Sequence, residues 1–323
     1  MGNSDSNKKA NPRVSVIIPT YNRAQLVNRA MQSVLNQTYE DFELIVVDDC
    51  STDNTPEVVS NIGDKRIKYV RHTTNKGASA SRNTGIRAAR GELIGFLDSD
   101  DEWLPEKLQK QVNRFDSASV NVGLVYGGYV VVDDDTNTVV KEVYPDKRGY
   151  VFKDVLKMAG PTNPLTPLVR KECFDKVGFF DEDMRFGEDW EMWVRISQHY
   201  EFDFVSGSVG KYHVSRHQIT RDSVSALEGL SKFRAKHHQI LLENPAIFAH
   251  HLKWVGQRYL VDHNDYAKAR SYLVQAVRVN PLEAHLYIHL LATYAVPRFY
   301  RAILKTGFMF CLRRYVAIAR QSR

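Results

Sequence analysis

The sequence predicts an α/β protein: a doubly wound, mostly parallel sheet with helices on both faces, followed by an α-helical C-terminal region. Two observations predict this architecture. Between residues 14 and 97, short apolar runs alternate with helical segments of about ten residues, which is typical of βαβ units. Beyond Ser223 the strand patterns stop and helical periodicity takes over. We therefore expect a disordered polar tail at 1–12, one α/β domain at 13–221 and a helical region at 222–323.

The first half of the predicted domain contains four strands. The predicted elements are strands at 14–18, 42–47, 67–71 and 93–97, with helices at 24–36 and 77–89. Three of the strands are nearly continuous in apolar residues, which indicates burial on both faces of the sheet. The helix at 77–89 is rich in Ala and Ser and is followed by Gly91, a residue type that commonly ends helices.

Composition limits the class of protein. Apolar residues make up 43% and aromatic residues 11% of the chain, which is enough for a large core. The three cysteines, Cys50, Cys173 and Cys311, are far apart and odd in number. This usage favours a reducing, cytoplasmic compartment with neither a disulfide framework nor a zinc site. No apolar run reaches the length of about 18 residues that a membrane span needs.

Polar residues follow three of the predicted strands at their carboxyl ends. They are Thr20 and Tyr21 after the first strand, Asp48 and Asp49 after the second, and Asp98, Ser99 and Asp100 after the fourth. These ends share one edge of a parallel sheet, so the side chains can converge on one ligand. Neither a dinucleotide fingerprint nor a phosphate-binding P-loop follows the first strand. A tyrosine can instead stack on a base, and a carboxylate can accept its N–H groups.

The acidic cluster after the fourth strand has two interpretations. Asp98, Asp100 and Asp101 would repel one another unless Mn²⁺ or Mg²⁺, usually with phosphate oxygens, lies between them. The alternative is a solvated acidic turn that caps a helix, because Pro105 and Glu106 follow as a helix start.

Four motifs occur in order at this point: VIIPTYNR at 16–23, VVDDCSTD at 46–53, NKGA with SRN at 75–83, and FLDSDD at 96–101. Together they resemble the family 2 glycosyltransferases, which have the GT-A fold. The resemblance covers about residues 13–221. It implies an inverting enzyme that uses a nucleotide-sugar.

The resemblance also implies roles for single residues. It places the nucleotide-sugar on Pro19, Thr20, Tyr21, Arg23, Asp49, Arg82, Asp98 and Ser99. Thr20, Tyr21 and Asp49 would hold the nucleobase, and Asp98 would reach the ribose. Asp100 would ligate Mn²⁺ or Mg²⁺ between the two phosphates. Arg82 would lie near the diphosphate; its alternative is a surface arginine on an amphipathic helix.

The second half of the domain is predicted to carry the acceptor side. Strands are predicted at 122–132, 139–143, 166–169, 202–205 and 211–214. A helix beginning at Glu188 opens with Glu188 and Asp189. The resemblance implies that Asp189 deprotonates the acceptor hydroxyl, with Glu188 as the second candidate. Alternatively, acids in a first helical turn simply suit the helix dipole.

A basic segment follows the last predicted strand. In relatives such a segment closes over the diphosphate and sometimes supplies a metal ligand. His217 is therefore a candidate ligand, together with His213 and Arg216 as neighbouring candidates. The alternative for His217 is an ordinary surface histidine.

The helical region contains a segment, 254–281, that resembles one tetratricopeptide-like helix pair, which needs a neighbour to bury its faces. That neighbour is either the catalytic domain or a second protomer, so a homodimer is one possibility. The segment 302–319 mixes apolar and basic residues, and residues 284–323 carry seven Lys or Arg but no Asp or Glu. We favour an anionic membrane surface over a docking partner. No nucleic-acid-binding motif accompanies the charge.

The predicted function is an inverting, divalent-metal-dependent glycosyltransferase of the hexosyltransferase type. Its donor would be a UDP-linked sugar, and its acceptor a hydroxyl of a cell-surface polysaccharide, lipopolysaccharide or lipid-linked glycan. It would be cytoplasmic, at the inner face of the cell membrane. A sugar nucleotidyltransferase is one alternative, although 20–23 lacks the glycine of its usual loop. An inactive scaffold that acts through the helical region is the other.

Overall fold

The structure is a computed structural model that describes residues 11–161, 163–214 and 223–314. Within these ranges nine strands form one sheet: β1 (Val14–Thr20), β2 (Phe42–Asp48), β3 (Ile67–Arg71), β4 (Leu93–Phe96), β5 (Glu102–Trp103), β6 (Val122–Asp133), β7 (Thr138–Val143), β8 (Leu168–Arg170) and β9 (Glu201–Val214). The helices of the α/β part are α1 (Ala24–Leu35), α2 (Thr55–Asn61), α3 (Ala78–Ala88), α4 (Lys107–Ser117), α5 (Phe152–Leu156), α6 (Lys171–Val177) and α7 (Glu188–Ser197). The helical part contains α8 (Ser223–Lys236), α9 (His238–Leu242), α10 (Pro245–His263), α11 (Tyr266–Val279), α12 (Ala284–Ala295) and α13 (Pro297–Arg314).

The strand order confirms the doubly wound sheet. Its path is β3-β2-β1-β4-β8-β6-β9-β5, and β7 pairs with β6. The first four strands are all parallel, whereas the second half mixes parallel and antiparallel pairs. The chain winds outward from β1 in one direction and then returns to its other side at β4. The loops after these two strands therefore part at the sheet edge, which is where α/β proteins bind ligands.

Both faces of the parallel strands are covered. Ile17 of β1 lies in the core on one face, while Val16 and Ile18 lie in the core on the other. Helix α3 contributes Ile86 to the first core, and α1 contributes Met31 to the second. This explains why the sequence shows continuous apolar runs rather than alternation.

Helix α3 packs unusually close to the sheet. A Cβ atom on Gly85 would stand 2.4 Å from Cγ2 of Ile17, so only glycine allows this approach. Arg82 lies three residues earlier and therefore on the same side of the helix. The close packing thus brings the Arg82 side chain to the edge of the sheet.

The second half of the domain differs from the sequence prediction at β9 and contains β5, which was not predicted. The predicted strands at 122–132 and 139–143 are confirmed as β6 and β7. The pairing of β6 shifts register on both sides of Gly128, where a Cβ would clash with a backbone oxygen at 2.5 Å. The prediction of separate strands at 202–205 and 211–214 is wrong, because β9 runs through both as one strand paired with β6.

The helical region packs on the α/β part. Leu230 and Phe233 of α8 and Val255 of α10 share one core with Trp190 and Trp193 of α7. The predicted helix pair at 254–281 corresponds to α10 and α11. The proposed boundary near 221 lies outside the described residues, as does the tail at 1–10. Among the described helices, none is both long and apolar enough to cross a membrane.

Candidate active site

Thr20 ends β1 at the sheet edge, and Tyr21 begins the loop that follows. Thr20 is buried, yet its hydroxyl oxygen has no hydrogen-bond partner among the described residues. The Tyr21 ring is about half exposed, with a relative exposure of 45%. Asn22 takes a left-handed conformation, and its side chain accepts a hydrogen bond from the backbone N–H of Thr52 at 2.7 Å. The loops after β1 and β2 are therefore joined, and a buried hydroxyl is left available beside an exposed ring. Pro19, the residue before Thr20, is buried within β1.

The Asp49 carboxylate organises the next loop. Its oxygens accept hydrogen bonds from the backbone N–H of Lys76 at 2.9 and 3.0 Å and of Gly77 at 2.7 Å. The Nδ1 atom of His72 lies 2.7 Å from the same carboxylate, and its Nε2 lies 2.9 Å from the Thr84 hydroxyl. A carboxylate has about four lone-pair sites, and these contacts engage most of them. Asp49 therefore shapes the turn that precedes α3.

Arg82 links two groups of acids. Its Nη2 lies 2.7 Å from Oδ1 of Asp98, and its Nη1 lies 2.7 Å from Oε1 of Glu188, which is 106 residues away. Burial opposes the charge, but Asp98 and Glu188 outweigh it and raise the pKa of the Arg82 guanidinium. The interpretation of Arg82 as a surface arginine is wrong, because its side chain is only 4% exposed.

The acidic residues after β4 lie in two different environments. Asp98 and Asp100 keep partly exposed side chains, and Asp100 pairs with Nη1 of Arg23 at 2.8 Å. Asp101 is buried and accepts the backbone N–H of His213 at 2.9 Å. Burial raises the pKa of Asp100, with Asp98 adding to the rise and Arg23 opposing it.

The interpretation of this cluster as a solvated helix cap is wrong. Helix α4 starts after Glu106 without any side-chain cap, and Asp101 is buried. Ser99, between the two site acids, is also buried. Asp98 and Asp100 thus present carboxylates at the sheet edge, while Asp101 holds the backbone of β9.

Helix α7 brings the acid pair to the same edge. Its start follows Gly187, which is in the left-handed conformation. The Asp189 carboxylate accepts the backbone N–H of Trp190 at 2.7 Å. Burial, together with the neighbouring Glu188 carboxylate, raises the pKa of Asp189 to about 7, although Arg82 opposes the rise. One carboxyl group in the middle of this charged cluster therefore has a pKa close to neutral pH.

Several residues in this architecture were not foreseen from the sequence. Glu191, on the other side of α7, is fully buried and accepts hydrogen bonds from Arg195 at 2.9 Å and from His237 at 2.9 Å. Lys236 also lies 3.0 Å from Glu191. Lys236, at the end of α8, and His237, the next residue, lie far along the chain from Glu191, and no local pattern signals such contacts. They anchor α7 against the helical region.

His213 has a second set of long-range contacts. Its two ring nitrogens lie 2.6 Å from Asp134 and 2.8 Å from Glu102, so it bridges two acids behind the site. The candidate ligand His217, with Arg216, lies outside the described residues. In the described part of the chain, no group of three His, Cys, Asp or Glu side chains is arranged to hold a metal ion by itself.

Comparison with known proteins agrees with this geometry. The family described as glycosyl transferase family 2 matches residues 15–162. The chain is 32% identical over 217 residues to the Escherichia coli UDP-Glc:alpha-D-GlcNAc-diphosphoundecaprenol beta-1,3-glucosyltransferase WfgD, covering 67% of this chain and 82% of that protein. It is also 32% identical over 204 residues to the putative colanic acid biosynthesis glycosyl transferase WcaA of Escherichia coli K12, covering 59% of this chain and 68% of the relative.

Solved structures share the fold. S. aureus TarS 1-349 in complex with UDP-GlcNAc superposes with a TM-score of 0.64 at 17% identity, covering 92% of this chain and 91% of that one. Mannosyltransferase PcManGT from Pyrobaculum calidifontis, in complex with GDP-Man and Mn2+, has a TM-score of 0.57 at 21% identity, covering 94% and 87%. Together with the sequence matches, they identify the chain as a GT-A glycosyltransferase that belongs to glycosyl transferase family 2.

Proposed function

We propose that this enzyme transfers one sugar from a nucleotide-sugar to a hydroxyl of a lipid-linked or cell-surface glycan, with inversion at the anomeric carbon. The observation that carries the proposal is the Arg82 bridge. It joins Asp98, on the donor side of the sheet edge, to Glu188, beside the acid that would activate the acceptor. The donor-binding and acceptor-activating residues would thus meet at the guanidinium group of Arg82.

The donor would lie across the loops after β1, β2 and β4. The buried, unpaired hydroxyl of Thr20 and the exposed ring of Tyr21 suit a nucleobase, with Asp49 shaping the adjoining turn. Asp98 would accept a ribose hydroxyl and Arg82 would face the diphosphate. We favour a uridine nucleotide, because WfgD is named for UDP-Glc and the TarS structure contains UDP-GlcNAc.

The carboxylates fit a hard divalent cation such as Mn²⁺ or Mg²⁺. Asp100 carries a raised pKa because it is partly shielded from water and lies close to Asp98, so a positive charge beside it would favour its ionised form. Magnesium is commonly bound by one or two carboxylates together with substrate phosphates. Asp100 would hold the ion, with His217 as a further candidate. The ion would offset negative charge on the departing diphosphate.

Asp189 would act as the general base. With a pKa of about 7, a substantial fraction is ionised at neutral pH while its basicity stays well above that of an ordinary carboxylate. It would remove the proton of the acceptor hydroxyl as that oxygen bonds to the anomeric carbon. The bond from that carbon to the diphosphate oxygen breaks in the same step. Glu188 is held by Arg82 and would mainly tune Asp189.

The acceptor and the location are proposed on separate grounds. WfgD is named for an acceptor attached to diphosphoundecaprenol, which supports a lipid-linked glycan. The free thiols of Cys50 and Cys173 suit a reducing, cytoplasmic setting. We propose that the enzyme works at the inner face of the cell membrane, with the basic C-terminal segment near anionic lipid.

Calorimetric titration of UDP and GDP, with and without Mn²⁺, tests the donor site. Wild type should bind one diphosphate in a manner that depends on metal, and Asp100→Ala should abolish this dependence. Glu57→Gln, an exposed acid on α2, is the matched control and should behave as wild type. Indifference to every nucleotide under all conditions would contradict the proposal. The anomeric configuration of the product, read by NMR, would test inversion separately.

A further inference from the structure

Helix α12 exposes an apolar face. Tyr287, Ile288, Leu291 and Tyr294 recur at intervals of three and four residues, so they lie on one side of the helix. Ile288 and Leu291 are 67% and 64% exposed, and Phe299 in the first turn of α13 is 66% exposed. We call these five residues the α12 face. Contiguous apolar surface of this kind usually marks an interaction site.

The fold itself does not account for this face. Only the opposite side of α12 packs inward, where Leu286 and Thr293 are buried and Leu286 joins a core with α10 and α11. The helix contains no Asp, Glu, Lys or Arg. An ordinary surface helix would place charged residues at these exposed positions.

The surroundings of the face are cationic. From residue 284 to the C-terminus the sequence contains seven Lys or Arg and no Asp or Glu. Arg298 and Lys305 are exposed close in sequence to Phe299, and the Arg270 guanidinium stacks on Tyr294 at 4.1 Å. Aliphatic and aromatic side chains with a basic border match the boundary between lipid tails and anionic headgroups.

We propose that the α12 face is a membrane-docking surface that inserts into the headgroup and acyl boundary of an anionic bilayer. The charge separates this occupant from a second copy of the chain. A twofold interface would place the same positive segment on both sides, and the like charges would oppose association. A bilayer surface instead supplies the missing negative charge, and tyrosine rings suit its interface.

The position of the face explains its use. α12 packs through α11 on α10, and α10 and α8 share a core with Trp190 next to Asp189. The docked surface would thus hold the active site at a set distance from the membrane, where a lipid-linked acceptor lies. This purpose rests on the proposed function, whereas the binding itself does not.

Vesicle flotation with the full chain tests the proposal. Wild type should float with vesicles of phosphatidylcholine and phosphatidylglycerol, and much less with phosphatidylcholine alone. The double variant Ile288→Ser, Leu291→Ser should bind the anionic vesicles at least about tenfold more weakly, because two inserted side chains are lost. The matched control is Val120→Ser, Val139→Ser, which removes two valines that are 82% and 55% exposed on the α/β part, and it should bind like wild type.

Three results would overturn the proposal. They are absence of binding to any vesicle, equal binding by wild type and the α12 variant, and a wild-type dimer in light scattering that the variant converts to monomer. Circular dichroism and UDP titration on the variant exclude misfolding as the cause of lost flotation. Transfer to a water-soluble acceptor fragment should be the same in wild type and variant. Failure of that transfer in both proteins would count against the proposed function and leave the flotation result standing.

Discussion

Two carboxylates on opposite sides of helix α7 have pKa values that are shifted in opposite directions. Asp189 faces the sheet edge, where another acid, Glu188, lies beside it. Burial and Glu188 raise its pKa to about 7, while Arg82 and the Trp190 N–H oppose the rise. Glu191, two residues later, faces α8. Burial opposes its ionisation too, but hydrogen bonds from His237 and Arg195 hold its pKa at about 2.

The surrounding charges decide whether a carboxylate on this helix has a pKa near neutral pH or stays ionised and stabilises the fold. Both side chains are shielded from water, Glu191 fully and Asp189 in part, and this by itself disfavours the charged form. The number of cationic partners within hydrogen-bonding distance then decides the outcome. Glu191 has two cationic partners, Arg195 and Lys236, besides its contact with His237, and its pKa is lowered to about 2. Asp189 shares a single cation with Asp98 and Glu188 and is left poised to exchange a proton.

The largest expected effect comes from replacing Asp189, whose carboxyl group has a pKa of about 7. Asp189→Asn keeps the shape of the side chain but cannot accept the acceptor proton, so kcat should fall by about 10²–10⁴-fold. UDP affinity should change little, because the residue acts on the other substrate. Steady-state kinetics and calorimetry check both values. Asp183→Asn, an exposed acid in the preceding loop, is the control. Unchanged kcat in Asp189→Asn would remove this residue from the reaction.

Replacing Glu191, which anchors α7 against the helical region, should chiefly lower the stability of the protein. Glu191→Ala leaves Arg195, Lys236 and His237 without their common acceptor, and we expect the free energy of unfolding to fall by about 3 kcal/mol. This value is at the lower end of the range for broken buried pairs because Lys236 remains partly exposed. Urea denaturation measures it, with Glu243→Ala as an exposed control. Donor affinity below the unfolding transition should stay within a few-fold of wild type.

The pH dependence of activity sharpens the comparison. Since Asp189 must be ionised to accept a proton, kcat/KM should rise roughly fifty-fold between pH 5 and pH 7 and level off above. For stability the sign is reversed: its folded pKa lies above the ordinary 3.8, so stability is lost as pH rises toward 7. Asp189→Asn should therefore gain stability relative to wild type over that interval. A flat activity profile would contradict the assignment.

The smallest effect is expected from one of the three partners of Glu191. His237→Asn removes the ring nitrogen that lies 2.9 Å from the carboxylate while Arg195 and Lys236 remain. A loss of about 1.5 kcal/mol in unfolding free energy is expected for one hydrogen bond to a charged group. The folded pKa of Glu191 is lowered, so wild-type stability persists at neutral pH and declines as pH falls from 4.5 toward 2. In the variant this decline should begin at the same pH, but it should be smaller and end at a higher pH, because the folded pKa of Glu191 is lowered less.

Most of the donor half of the site was predictable from local patterns. The runs that form β1, β2 and β4 are nearly continuous in apolar residues, and polar residues follow each of them. A parallel sheet brings such ends together whatever the details of packing. The importance of Arg82 was less evident, because an arginine on an Ala-rich helix looks the same whether it is solvated or buried.

The architecture of buried strands and the supply of acids at one edge could be predicted, since both follow from local hydrophobic pattern and strand direction. Which acid has a pKa near 7 and which has a lowered pKa could not be predicted before the fold was known. That choice depends on charges within a few ångströms, and they come from positions as distant as Arg82 from Glu188 or His237 from Glu191. Coulombic energy falls with distance in space and takes no account of distance along the chain. The exposure of the α12 face follows the same logic, because a helix rich in apolar residues does not reveal which of its sides the neighbouring helices leave open.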